Sequence, residues 1–229
     1  MLILKKLKRI RLYARDACNI FRYGRIAPLT SQQLIVDPAR IEYVYYGDLR
    51  EGELPESLQQ GKTIRASPLG GRAASGLVLD GDWDSNVIPL HECPKYQVCR
   101  NRFISGMSWV DAGAYDLMRK ILKEKPGADG CRSMADVIKR YEEVDYLYHT
   151  VKKEGRLKSR KELRPENFRE SGGVYVHIDR RGDIIFGGGG WHRLIVAQMA
   201  GLRSIPAQLG VVHLDAIQLF KKKSVNIQI

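Results

Sequence analysis

The sequence predicts an α+β fold, and three stretches carry that prediction. "SMADVIKRYEEVDYLYHTVKKEG" repeats apolar residues at Val137, Tyr141, Val144, Leu147, Tyr148 and Val151, with Ser133 placed as an N-cap and Gly155 just past the end. "GGVYVHIDRRGDIIF" alternates Val174, Val176 and Ile178, turns through Arg180 to Asp183 and returns as Ile184 to Phe186, the pattern of a β-hairpin. The return strand runs into Gly187–Gly190; Trp191 to Ala200 then reads as a helix stopped at Gly201, and "SIPAQLGVV" as another strand.

The remaining elements follow from the N-terminus. "MLILKKLKRIRLYARDACNIFRYGR" places Leu4, Leu7, Ile10, Ala14, Cys18 and Phe21 near helical spacing with basic residues largely between them, so residues 1–30 read as a basic amphipathic helix and its connection. Such a helix can lie on an anionic membrane surface or on nucleic acid, or dock on the domain by its apolar face. "LIVDPARIEYVYY" reads as a strand broken by an Asp-Pro turn, and the following "YGDLREGELPESLQQGKTIRASPLGGRAASG" as a Gly-, Pro- and Ser-rich connection. After the strand and turn of "LVLDGDWD", helical stretches from about Lys95 and Val110 form an insertion spanning about residues 91–130. Residues 31–229 are expected to make one domain around this insertion.

Charge is concentrated. Residues 1–25 hold Lys5, Lys6, Lys8, Arg9, Arg11, Arg15, Arg22 and Arg25 against Asp16 alone, a net +7 within a chain of formal charge +12. Residues 152–164 add seven basic residues against Glu154 and Glu162, a net +5. Clusters of this kind attract polyanions: nucleic acid, anionic lipid or phosphorylated ligands. Four cysteines at irregular spacing, with no secretory leader before them, point to a reducing, cytoplasmic setting rather than a disulfide framework. No apolar run reaches the roughly 20 residues a membrane span needs, so any membrane contact is peripheral and falls to residues 1–25. "HECPKYQVC" lacks the regular spacing of a zinc site, and no metal site is assigned.

The glycine turn holds the chemical signal. A helix start presents about four N–H groups without intrahelical partners and roughly half a unit of positive charge, which favours an anion. Gly188, Gly189 and Gly190 remove the Cβ atoms that would keep a phosphate off the backbone, and His192 and Arg193 follow in the first helical turn. The same glycines equally suit a tight strand-to-helix corner.

"IIFGGGGWHRLIVAQMAGLRSIPAQL" resembles the signature of the ParB/sulfiredoxin superfamily, and "DYLYHTVKKEGRLKS" is similar to the helix and turn that precede it there, with Thr150, Val151 and Gly155 in matching places. Together these cover about residues 140–210. The resemblance implies a small mixed sheet with helices, and a glycine turn whose basic pair binds nucleotide phosphates. It departs at Trp191, where sulfiredoxins carry the reactive cysteine, and at Trp191 and His192, where partition proteins carry Glu and Arg. The short chain after the final strand is not expected to hold the helix-turn-helix of a partition protein.

What then remains is a phosphotransferase. ATP or CTP with Mg²⁺ is the implied cofactor, with Gly188, Gly189, Gly190, His192, Arg193, Thr150 and Lys158 as phosphate contacts. Asp145 and Glu154, with His192, are the candidate catalytic groups, and Asp82 or Asp84 further carboxylate candidates. The acceptor is expected to be a small molecule or glycan. The alternative is a nucleic-acid-binding module or nuclease working through the two basic stretches.

Overall fold

The strand Ile205–His213 is buried along its whole length and organises the sheet. In the computed structural model, which describes residues 2–49, 51–59 and 69–222, seven strands make one mixed sheet. They are β1 Gln33–Val36, β2 Tyr43–Tyr45, β3 Val78–Leu79, β4 Val87–Pro89, β5 Val174–Ile178, β6 Ile184–Phe186 and β7 Ile205–His213. Their order is β1-β7-β5-β6-β2-β4. β1 pairs antiparallel with the first half of β7, Val36 opposite Ile205, and β3 pairs parallel with its last residues, Val78 opposite Val212. β5 runs parallel to β7 on the other side and forms the expected antiparallel hairpin with β6.

The helices are α1 Leu2–Tyr23, α2 Glu56–Gln59, α3 Pro94–Phe103, α4 Ala114–Glu124, α5 Met134–Glu154, α6 Arg160–Leu163, α7 Trp191–Met199 and α8 Leu214–Lys222. α5 starts on a capping box in which Ser133 accepts from the Asp136 amide and Asp136 answers the Ser133 amide; it stops where Gly155 turns left-handed at φ +67°. α4 begins later than the sequence indicates, because Trp109–Gly113 form a turn first and Gly113, at φ +82°, becomes its N-cap. Of the connection before β3, residues 60–68 lie outside the described residues.

One apolar cluster joins sheet and helices: Val174, Val176, Phe186 and Ala207 from the strands, Leu194 to Ala197 from α7, Tyr141 and Val144 from α5, and Cys99, Met118 and Ile121 from the insertion. α7 has no side-chain N-cap. Burying Leu194 and Ile195, worth about 1.5–3 kcal/mol each, outweighs the roughly 1 kcal/mol a cap would add. The insertion is pinned by Lys95, whose ammonium meets Glu53 at 3.0 Å and Asp129 at 2.8 Å with almost no solvent contact. Burial works against that charge, but the two carboxylates outweigh it and hold the lysine above its ordinary pKa.

α1 is a helix, as its periodicity predicts, but apart from Tyr23, which packs on the Leu209, Val212 and Ile217 cluster, its docking residues are polar. Arg15, Asp16 and Asn19 hold it, whereas Ile10, Ala14, Cys18 and Phe21 are exposed. The side chains of Leu4 and Leu7 lie outside the described residues.

Candidate functional site

The glycine turn is stapled to the hairpin at both ends. The Gly187 amide donates to the Tyr175 carbonyl and the Tyr175 amide donates to the Gly189 carbonyl, each at 2.8 Å. Close packing explains three of the four glycines. A Cβ on Gly187 would lie 2.5 Å from the Tyr175 ring, one on Gly189 2.5 Å from Nη2 of Arg72, and one on Gly190 2.9 Å from the Gly173 carbonyl. Gly190 also needs φ +92° to start α7.

What packing leaves over is polar. Among the described residues, no protein acceptor takes the main-chain N–H of Gly188, Gly189, Gly190, Trp191, His192 or Arg193. A typical helix start leaves about four such donors; here six in succession lack a protein acceptor. Gly188, Gly189 and Gly190 are partly solvent-accessible.

Arg72 touches this run, Arg193 belongs to it, and the charge of Arg160 reaches both. Arg72 lies against Gly189, donating to the Gly173 carbonyl at 2.7 Å and to the Gln208 side chain, with its guanidinium 5.2 Å over the Tyr175 ring. Arg193 donates to the Lys158 carbonyl, and its Nε is buried without a partner. Arg160 borders Gly172 and likewise buries an unpartnered Nε. Burial lowers the pKa of Arg72 and brings that of Arg193 to about 10, and the charge of Arg160 presses both down further. Carboxylates sit among them too: Asp48 beside Gly188 acts on Arg72, Glu162 acts on Arg193, and Glu170 acts on both. Glu170 is fully buried; its Oε2 accepts from the Arg160 amide at 2.8 Å and its Oε1 has no partner. Burial raises its pKa, against that hydrogen bond and the Arg193 charge. Buried guanidinium groups that press on one another, with unpartnered Nε atoms on Arg193 and Arg160, would be stabilised by an added anion.

Beside the turn, His177 is locked in one tautomer. The Val211 amide donates to its Nδ1 at 3.0 Å, so Nε2 carries the hydrogen and donates to Asp48, also at 3.0 Å. Gly210 makes room for this imidazole at the irregularity between β5 and β7. The Asp48 carbonyl in turn borders Gly188.

The sequence-derived site divides. Gly188, Gly189, Gly190 and Arg193 are together, and Lys158 reaches Arg193 through its carbonyl while its ammonium pairs with Glu154 at 3.1 Å. His192 does not join them. Its imidazole is 5% exposed, packs edge-on to Tyr141 at 5.5 Å, and is held by burial near pKa 3, so it is uncharged at neutral pH and forms part of the core. Asp145 is gripped by Arg102 through two hydrogen bonds of 2.9 and 3.0 Å and by the Trp109 indole at 3.0 Å, which ties the insertion to α5. Asp82 and Asp84 hold Arg180 at the hairpin turn, and the Arg180 hydrogen bonds bring Asp84 to about pKa 2. The Thr150 hydroxyl, half-buried on α5, makes no hydrogen bond among the described residues. Glu154 is on the exposed end of α5, occupied by Lys158.

Sequence reasoning missed Arg72, Arg160 and Glu170. Arg160 was visible only as one of seven charges in a basic stretch; Arg72 and Glu170 stand in irregular segments with no periodicity to mark them. Among the described residues no three His, Cys, Asp or Glu side chains gather as a metal cluster. Glu170 and Asp48, carboxylates near the turn, accept from the Arg160 amide and from His177 respectively, and do not make a ready-made Mg²⁺ site there. A cavity of about 660 Å³ lies elsewhere, between β1, β2 and the hairpin turn. Its buried carboxylates Asp84 and Asp179 are already engaged by Arg180 and Arg181. Comparison with known protein families, characterised proteins and solved structures returned no match.

Proposed function

We propose that the turn at Gly187–Gly190 binds the phosphate groups of a nucleotide, with the main-chain amides of 188–193 and the guanidinium groups of Arg72, Arg193 and Arg160 as the clamp. The run of six unaccepted N–H groups beside Arg72 carries this reading. Backbone donors at a helix start suit an anion, and planar guanidinium groups suit phosphate oxygens. Arg72 and Arg193 are held in place by carbonyls of the Gly173 and Lys158 segments, so little ordering is left for the ligand to impose.

The resemblance of residues 140–210 to the ParB/sulfiredoxin superfamily supports the same ligand class, and within it a phosphotransferase acting on a small or glycan-like acceptor. The clamp would stabilise the charge on the moving phosphoryl group. His192 and Asp145 have no part in this, being engaged in the core and the insertion. Glu170 acts on both Arg72 and Arg193; its role is to balance and position the arginines.

Titration calorimetry with ATP, ADP, CTP and inorganic triphosphate tests the proposal. Arg72→Ala and Arg193→Ala should each weaken binding at least tenfold, about 1.4 kcal/mol. Absence of binding by all four, or binding indifferent to both substitutions, would end it. Tight binding to DNA or RNA with none to free nucleotide would favour the nucleic-acid alternative.

A further inference from the structure

Among its described side chains, α1 is fastened mainly through Arg15, Asp16 and Asn19, with Tyr13 edge-on to the Phe168 ring at 5.7 Å. Arg15 donates to the Ala73 and Ser75 carbonyls at 2.7 and 2.8 Å, and Asn19 to those of Pro28 and Gly76 at 2.7 and 2.6 Å. Asp16 accepts from the Thr30 amide and pairs with Arg169, both at 2.7 Å. At 3.6 residues per turn, Ile10, Ala14, Ala17 and Phe21 fall in a row on the opposite side, with Tyr13 and Ile20 on one margin and Cys18, Arg11 and Arg22 on the other. Phe21 is 92% exposed, Ile10 61% and Ile20 53%.

We infer that this free face lies in the interface of an anionic lipid bilayer. Two requirements select that occupant. The apolar row needs an apolar medium, which a nucleic-acid phosphate surface lacks. The flanking arginines and the net +7 of residues 1–25 need negative charge close by, which a second copy of the same helix would oppose with its own +7. A bilayer surface offers acyl chains at one depth and anionic headgroups at the next, the arrangement that in-plane amphipathic helices use. No helix among the described residues is long and apolar enough to cross a membrane, so the helix lies on the surface.

The docked face leads to the anion site. Arg15 holds carbonyls on either side of Ala74, just after Arg72, and Arg169 directly precedes Glu170. A bilayer-bound α1 therefore sits beside the segments that carry Arg72 and Glu170. The lipid contact itself stands independently of what the clamp binds.

Cys18 supplies the probe, because it is exposed on this face while Cys93, Cys99 and Cys131 are buried. An environment-sensitive fluorophore on Cys18 should shift to the blue with phosphatidylcholine vesicles containing phosphatidylserine, and not with phosphatidylcholine alone. Phe21→Glu should weaken binding at least tenfold, and so should Arg11→Glu combined with Arg22→Glu; flotation of unlabelled protein should give the same ranking. Both variants alter exposed side chains and should melt with the wild type. No shift on anionic vesicles, a shift indifferent to Phe21→Glu, or a dimer in sedimentation that Phe21→Glu abolishes would each overturn the inference.

Discussion

The guanidinium of Arg72 rests on Gly189, so close that a Cβ at that glycine would lie 2.5 Å from Nη2. Gly190, one residue on, meets main chain instead, with the Gly173 carbonyl 2.9 Å from its Cβ position and φ at +92°. The two glycines therefore have separable roles. Gly189→Ala should displace the end of a side chain, leave the melting temperature within a few degrees of wild type, and weaken triphosphate binding severalfold. Gly190→Ala should lose about 1–2 kcal/mol for the left-handed backbone alone, with the carbonyl clash in addition. Paired thermal melts and binding isotherms separate these outcomes; equal destabilisation by both would contradict the packing described.

His192 should make stability depend on pH. Its folded pKa, about 3, lies below the ordinary 6.5, so between these values the unfolded chain binds the extra proton. The contribution is therefore complete above about pH 6.5 and falls away as pH drops toward 3. Between pH 7 and 5.5 the wild type should lose about 1 kcal/mol more than His192→Gln, read from urea midpoints. Parallel profiles would show that the imidazole is not buried in its neutral form.

Asp145 is the residue for which the two readings of the sequence diverge most. Held by Arg102 and Trp109, it should prove structural: Asp145→Asn should cost about 1–3 kcal/mol of stability in chemical unfolding and leave nucleotide affinity within twofold. A large loss of affinity in a fully folded variant would return it to the site.

Lys95 faces two carboxylates in a nearly dry setting. Lys95→Ala leaves Glu53 and Asp129 without their counter-charge and should cost about 3–5 kcal/mol. Calorimetric melting checks it, and a loss under 1 kcal/mol would mean that water reaches the cluster.

Much of the architecture was legible because its signals are local. The Ser133 cap, the Gly155 stop, the alternation of Val174, Val176 and Ile178, and the glycine turn each follow from residues within a few positions of one another. The site was legible only where it is local too. Arg193 stands three residues past the turn, but Arg72 reaches Gly173 across 101 positions, a meeting decided by strand pairing. His192 shows the limit of reading a neighbour as a partner: successive helical residues point about 100° apart, so Arg193 faces the Lys158 loop while the imidazole enters the core. For α1, periodicity revealed an apolar face but not that Asp16 and Asn19 would be the residues to dock.

The most direct test follows the amides themselves. In a ¹⁵N-labelled sample, titration with inorganic triphosphate should shift the backbone signals of Gly188, Gly189 and Gly190 together and saturably, and Arg72→Ala should raise the concentration needed at least tenfold. Signals that stay in place at millimolar triphosphate, in a protein whose other resonances are those of the folded state, would contradict the phosphate site.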